Sequence, residues 1–147
     1  MLQRLLGGNG RRLILYVDGA IRPNATGLGV VVRDPTGRVL SWRSKRLARA
    51  MTCNQAEYEA LILGLEVAQG LNGERIEVRS DSQVVVNQMR GRFSVRKRAL
   101  KLLHARASAA VAELREVKLV HVPREHNRLA DALANEAADG EWEGEAS

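Results

Sequence analysis

The chain has 147 residues, 45% of them hydrophobic and 27% charged, with a formal net charge of +6 at neutral pH. That length and balance fit one globular domain and exclude a disordered chain. No apolar stretch approaches the roughly 18 residues of a membrane span, and the lone Cys53 excludes an internal disulfide and a structural zinc site of several thiolates.

Residues 1–11 read as a flexible leader, because the run GGNG at 7–10 holds regular structure only at an entropic cost. Their apolar part is too short for a secretory signal, so a cytoplasmic location follows by default. Residues 12–19 (RLILYVDG) form a near-continuous aliphatic run ended by Gly19, which predicts a strand covered on both faces. Residues 28–34 and 38–47 follow as an antiparallel hairpin, joined by the turn DPTG at 34–37. Leu61, Leu65 and Ala68, with Ile62 beside them, give residues 54–70 a helical stripe, and NGE at 72–74 ends it. A strand at 75–80, a helix from Ser82 to Met89, a helix from Val95 to Leu114, a strand at 117–122 ended by Pro123, and a helix from Asn127 to Asp139 complete the series. Residues 139–147, with Trp142, read as a flexible acidic tail. Three strands, then strands alternating with helices, imply one mixed sheet with helices on both faces and a right-handed crossover into the strand at 75–80. The domain is expected over residues 12–138.

Four acidic residues stand out. Asp18 lies at the end of an apolar strand, where a carboxylate is costly unless paired or bound to metal. Asp81 directly follows the strand at 75–80, and ligands bind at the carboxyl ends of parallel strands. Glu57 lies in the first turn of the long helix and Asp131 near the start of the last one. Structural alternatives stand beside the chemical one. Asp81 would cap the following helix, Glu57 would close a capping box with Asn54, and Asp131 would complement a helix dipole or pair with Arg128. If all four converge, their repulsion demands cations, and hard carboxylate oxygens without clustered Cys or His select Mg²⁺ or Mn²⁺. Glu59 is two residues from Glu57 and therefore on a different helix face.

The positive charge favours a polyanionic partner, with a solubilising surface as the plainer alternative. Arg43, Lys45, Arg46 and Arg49 form one cluster; Arg90, Arg92, Arg96, Lys97, Arg98 and Lys101 form another, with Phe93 as its one aromatic.

YVDGA at 16–20 with Asn24 beyond it, NQAEYEAL at 54–61, RSDSQVV at 79–85 and HNRLADALANEA at 126–137 resemble, in order and spacing, the four motifs of type 1 ribonucleases H. The resemblance spans about residues 12–138. It implies a ribonuclease H-like fold, a five-stranded mixed sheet in the order 3-2-1-4-5. It implies a carboxylate cluster of Asp18, Glu57, Asp81 and Asp131 that binds two divalent ions. The implied activity is hydrolysis of the RNA strand of an RNA–DNA hybrid, leaving 5′-phosphate and 3′-hydroxyl ends, by a chain expected to be a monomer. In that scheme Asp18 bridges both ions, Asp131 helps the one that prepares the attacking water, and Glu57 and Asp81 help the one at the leaving oxygen. Asn54 and Gln83 match positions that contact the RNA strand, Asn24 and its turn help, and Thr52 matches a position that holds a DNA phosphate. Capping and turn roles are the alternatives for all four.

The match departs from the family pattern in three places. Cys53 stands where many members have Asn. The basic helix and loop between the third and fourth motifs is too short for a full handle. A mobile loop histidine lacks a clear counterpart: His121 has the family spacing, ten residues before Asp131, but belongs to a predicted strand. Arg124 is therefore the first choice for the loop role and His126 the second, with His104 structural. Trp42 and Tyr16 are expected to pack in or near the core. Two other functions share the fold: a nuclease acting on double-stranded RNA or other duplexes, and a non-catalytic hybrid-binding module.

Overall fold

The computed structural model describes residues 10–140 and 144–146. Most of the expected leader, and residues 141–143 and 147 of the expected tail, lie outside them. The strands are β1 (Arg11–Arg22), β2 (Ala25–Arg33), β3 (Val39–Leu47), β4 (Gly73–Ser80), β5 (Glu116–His121) and β6 (Gly144–Ala146). The helices are α1 (Cys53–Gly70), α2 (Gln83–Met89), α3 (Arg98–Ala112) and α4 (Arg128–Ala138), with a 3₁₀ turn at Arg124–His126. The six-stranded sheet runs β5-β4-β1-β2-β3-β6. Its first five strands keep the expected 3-2-1-4-5 order, and β1 is parallel to β4 and antiparallel to β2.

Gly19 does not end β1. The strand continues to Arg22 and turns back through Pro23 and Asn24 into β2, with Arg22 opposite Ala25. Leucine and valine alternate down one face, where Leu13, Leu15 and Val17 are buried under α1. Tyr58, Leu61 and Leu65 of α1 pack on that face. Burying such a side chain stabilises by about 1.5–3 kcal/mol. The helix α3 lies outside α1, and Leu100 and Ala107 are its buried contacts. On the other face the expected full cover is absent over the first half of β1, where Ile14 and Tyr16 are half-exposed. The eleven-residue α4, whose first turn leaves an open hollow beside Tyr16, packs on β1, β2 and β3. It sits very close, because a Cβ on Gly27 would collide with the Ala134 carbonyl and one on Gly29 with the Ala130 carbonyl. Ala130, Ala134, Ala137 and Ala138 give α4 the matching flat face.

The open part of that face is polar. Tyr16 lies between two guanidinium groups, Arg79 at 5.3 Å and Arg33 at 5.7 Å from its ring centre. Trp42 is half-buried on β3. His104 packs edge-on against buried Tyr58, in keeping with a structural role.

The described part of the acidic tail is not free. Gly144–Ala146 pair antiparallel with β3, Arg43 lies 3.3 Å from Glu145, and the Ser41 hydroxyl donates to the Ala146 carbonyl at 2.7 Å. Asp139 accepts from Arg22 at 2.6 Å. Among the described residues no helix is long and apolar enough to cross a membrane.

Candidate active site

The β1–β4 register ends at the pair Val17–Ser80. The next residue on each strand is an aspartate, so Asp18 and Asp81 emerge side by side at the carboxyl end of a parallel pair. Beyond that point side chains replace the strand neighbour. The Gly19 amide donates to Glu57 at 3.2 Å and to Asp18 at 3.0 Å, and the Val17 carbonyl accepts from Asn127 at 2.9 Å. Gly19 is where α1 approaches, since a Cβ there would lie 2.7 Å from the Ala56 backbone. That close approach brings Glu57, the next residue of α1, over β1. Asp18, Glu57 and Asp81 offer carboxylate oxygens within 4.8 Å of one another. Asp131 stands outside this tight set but lines the same cleft, of about 640 Å³, from the first turn of α4.

Of the purely structural alternatives the two capping roles fail, while Asp131 does stand in the first turn of α4, where a helix dipole favours it. Thr52, not Asn54, caps α1, and it closes a capping box with Gln55, so Glu57 is not used for capping. Ser82 caps α2, accepting from the Val85 amide, so Asp81 is not the cap. Asp131 lies 3.8 Å from Arg124, the ion pair found for it, and accepts from Asn135 at 3.2 Å. Glu59 points elsewhere, accepting from Arg106 of α3 at 2.7 Å.

The cluster is electrostatically strained. Asp18 is 3% exposed, and burial, with the Glu57 charge next in weight, pushes its pKa far above the usual carboxylate range. Burial likewise pushes Glu57 up to about 7, against the opposing hydrogen bond with Asp18. Asp81 is also raised, chiefly by burial, although the Arg124 charge opposes this. Like charges 4 Å apart repel by about 4 kcal/mol at an effective dielectric near 20. Glu57 Oε2 is buried without a hydrogen-bond partner. A buried, unpartnered carboxylate oxygen among raised carboxylates fits hard divalent ions such as Mg²⁺ or Mn²⁺. The acidic donor set can hold metal and, through it, act on a phosphodiester.

The remaining expected residues fall at different distances from this centre. Asn54 and Cys53 line the cleft from the first turn of α1, and Arg124 lines it from the 3₁₀ turn. Gln83 is exposed at the start of α2, one residue from cleft-lining Ser82. Thr52 is exposed at the cap of α1, and Asn24 is exposed in the β1–β2 turn, away from the cleft lining. His126 lines a separate hollow with Tyr16 and Arg33. His121, the last residue of β5, lines the carboxylate cleft, and its charge acts on Asp81. Its spacing to Asp131 was the sequence signal; its place in a strand hid it, because the strand ends at the cleft. Asn127 was not singled out. Its position before a helix reads as a cap, yet it is 1% exposed and its side chain bonds to β1.

A family model described as "Reverse transcriptase-like" matches residues 16–137. The chain is 39% identical over 132 residues to a ribonuclease HI of Halobacterium salinarum, an alignment covering 88% of this chain and 66% of that one. The crystal structure of RNase H1 from the same archaeon superposes with a TM-score of 0.84 at 38% identity, covering 88% of this chain and 98% of that chain. LC11-RNase H1, solved in complex with an RNA/DNA hybrid, superposes with a TM-score of 0.82 at 38% identity, with 88% and 98% covered. The chain spans 66% of the length of the Halobacterium relative and 36% of the length of the mycobacterial relatives it matches.

Proposed function

Because this chain belongs to the type 1 ribonuclease H family, we propose that it hydrolyses the RNA strand of RNA–DNA hybrids by a two-metal reaction, leaving 5′-phosphate and 3′-hydroxyl ends. The observation that carries this reading is the set of Asp18, Glu57 and Asp81 oxygens within 4.8 Å, with Asp131 on the same cleft. The hybrid-bound LC11 relative supports the substrate class.

Asp18 and Asp131 would hold one Mg²⁺ or Mn²⁺ ion, and Asp18 with Glu57 and Asp81 the other. Bound there, the ions supply an activated water and stabilise the leaving 3′-oxygen. The chain does the rest by positioning. The Gly19 amide holds Asp18 and Glu57 in place through its two acceptors. Asn135 holds Asp131 by donating to its side chain and its carbonyl. Arg124, mostly exposed, balances the negative cleft and can meet a phosphate oxygen. His121, at the rim, is placed to carry a proton or to help the product leave.

Substrate contacts follow from the same elements. Asn54 at the N-terminal turn of α1, with Gln83 at that of α2, presents an amide able to sense a 2′-hydroxyl, the group that distinguishes RNA from DNA. The Thr52 hydroxyl accepts from Gln55, which leaves its own proton to donate to a DNA phosphate. Asn24 sits in the exposed turn between β1 and β2, and the exposed arginines from Arg90 to Arg98 add phosphate contacts. The same proposal takes the protein to be a cytoplasmic monomer, which sedimentation at micromolar concentration and cell fractionation test.

The direct test is cleavage of one end-labelled RNA strand, paired with DNA, paired with RNA, or single. Mg²⁺, Mn²⁺ and EDTA are compared, with Asp18→Asn alongside. Metal-dependent cutting of the hybrid alone, lost in Asp18→Asn, is the expected result. Equal cutting of double-stranded RNA would replace the substrate assignment. Binding of hybrid without any cutting would leave a binding module.

A further inference from the structure

Asn127 occupies the N-cap position of α4 but makes no side-chain cap bond. An asparagine there ordinarily accepts through its side-chain oxygen from an amide of the first turn. Here Oδ1 is buried without a partner, while Nδ2 donates to the Val17 carbonyl at 2.9 Å. The residue is 1% exposed, so an unsatisfied oxygen is costly, and the bond to β1 is kept in spite of it. Its two backbone groups are also engaged. The amide donates to the Arg124 carbonyl at 2.9 Å, and the carbonyl accepts from the Asp131 amide at 3.0 Å.

These bonds form one path. Asp18 is joined through the Val17 peptide to the Asn127 side chain, and from the Asn127 carbonyl to the Asp131 amide. The path links two carboxylates that come from different elements: Asp18 on β1 and Asp131 on α4, which packs on that strand. The carboxylate of Asp131 is oriented separately, by Asn135. What Asn127 fixes is where the first turn of α4 stands relative to β1. We infer that Asn127 is a positioning residue that sets the separation of Asp18 and Asp131, and with it the shared metal site. The inference rests on the proposed two-metal reading. Residues that orient metal ligands in this way affect metal affinity or activity about 10- to 100-fold when removed.

The test compares Asn127→Ala and Asn127→Ser, whose hydroxyl is too short to reach Val17, with Ile76→Val, a core change on β4 away from the cleft. Thermal unfolding, calorimetric Mn²⁺ binding without substrate, and kcat and KM on a hybrid are measured for each. The expected result is a Mn²⁺ affinity reduced about 10-fold or more and a kcat reduced to a similar degree, with KM within about 2-fold. Ile76→Val should keep both, whatever its loss in Tm. Wild-type Mn²⁺ affinity and kcat in folded Asn127 variants would overturn the inference, as would a rise in KM alone. Unfolding of both Asn127 variants would also overturn it, assigning the residue to folding. If the wild-type protein cuts no hybrid, the proposed function fails, while the Mn²⁺ comparison still decides the role of Asn127.

Discussion

The Thr52 hydroxyl accepts from the Gln55 amide at 3.2 Å, and the Gln55 side chain accepts from the Thr52 amide at 2.9 Å. This reciprocal pair closes the N-terminus of α1 two residues before Glu57. The helix is therefore anchored without using the carboxylate that the metal site needs. Thr52→Ala should cost about 1 kcal/mol, read as a Tm lower by a few degrees. With Glu57 still placed by its Gly19 contact, kcat should stay within about 2-fold, while hybrid binding weakens if Thr52 holds a phosphate. Thermal unfolding and steady-state cleavage measured together separate the two effects.

The pH dependence of the metal-free protein has a definite sign. Glu57 is raised from 4.5 to about 7, and Asp18 and Asp81 are raised as well, burial being the main cause for each. Between the unfolded and folded values the native state holds more protons than the unfolded chain, so stability falls as pH rises. In EDTA the urea midpoint should be higher at pH 5 than at pH 8, and Mg²⁺ should restore it at pH 8. Asp18→Asn removes a buried carboxyl that the folded protein holds protonated while the unfolded chain ionises it. At pH 8 in EDTA it should be more stable than the parent, by on the order of 1 kcal/mol or more. A destabilised Asp18→Asn protein would contradict the electrostatic account.

The three residues at and just beyond the end of β5 are expected to differ. His121 lines the carboxylate cleft, so His121→Ala should lower kcat about 10-fold or more. Arg124→Ala removes the cation beside Asp131 and opposite Asp81. It should lower the Mg²⁺ concentration needed for half-maximal rate, because the cleft becomes more negative. His126 lines a different hollow, so His126→Ala should leave kcat within about 2-fold. Metal titrations of cleavage rate on the three variants decide among these outcomes.

Close packing of α4 on β2 should be as sensitive as the carboxylates themselves. A Cβ on Gly29 would collide with the Ala130 carbonyl, one residue from Asp131. Gly29→Ala should cost about 1–3 kcal/mol by overpacking. It should also lower kcat, because α4 can relieve the clash only by moving Asp131. Urea unfolding and cleavage rates check both; a stable, fully active variant would mean that the helix adjusts without moving the site.

Much of the chain was legible in one dimension. The strand–helix order, the five-strand sheet and the four carboxylates follow from aliphatic runs, a helical stripe and acidic residues placed at element ends. Local chemistry left the rest open, because one residue type serves several purposes. Asn54 and Thr52 were both fit to cap α1, and Asp81 was fit to cap α2, where Ser82 does so. Only the backbone geometry showed which ones do, and so which carboxylates were free for the cleft. Gly19 looked like a strand terminator because glycine weakens a strand interior; the strand continues because its pairing with β2 does, and the glycine admits α1. His121 lines the cleft, and Asn127 ties α4 to β1 beneath it, because separate strands and helices end there together. The sequence by itself determined the secondary elements and the carboxylates available to them, since both depend on neighbours along the chain. Tertiary structure decided which side chains meet, since partners such as Val17 and Asn127, 110 residues apart, become neighbours only when β1 and α4 pack.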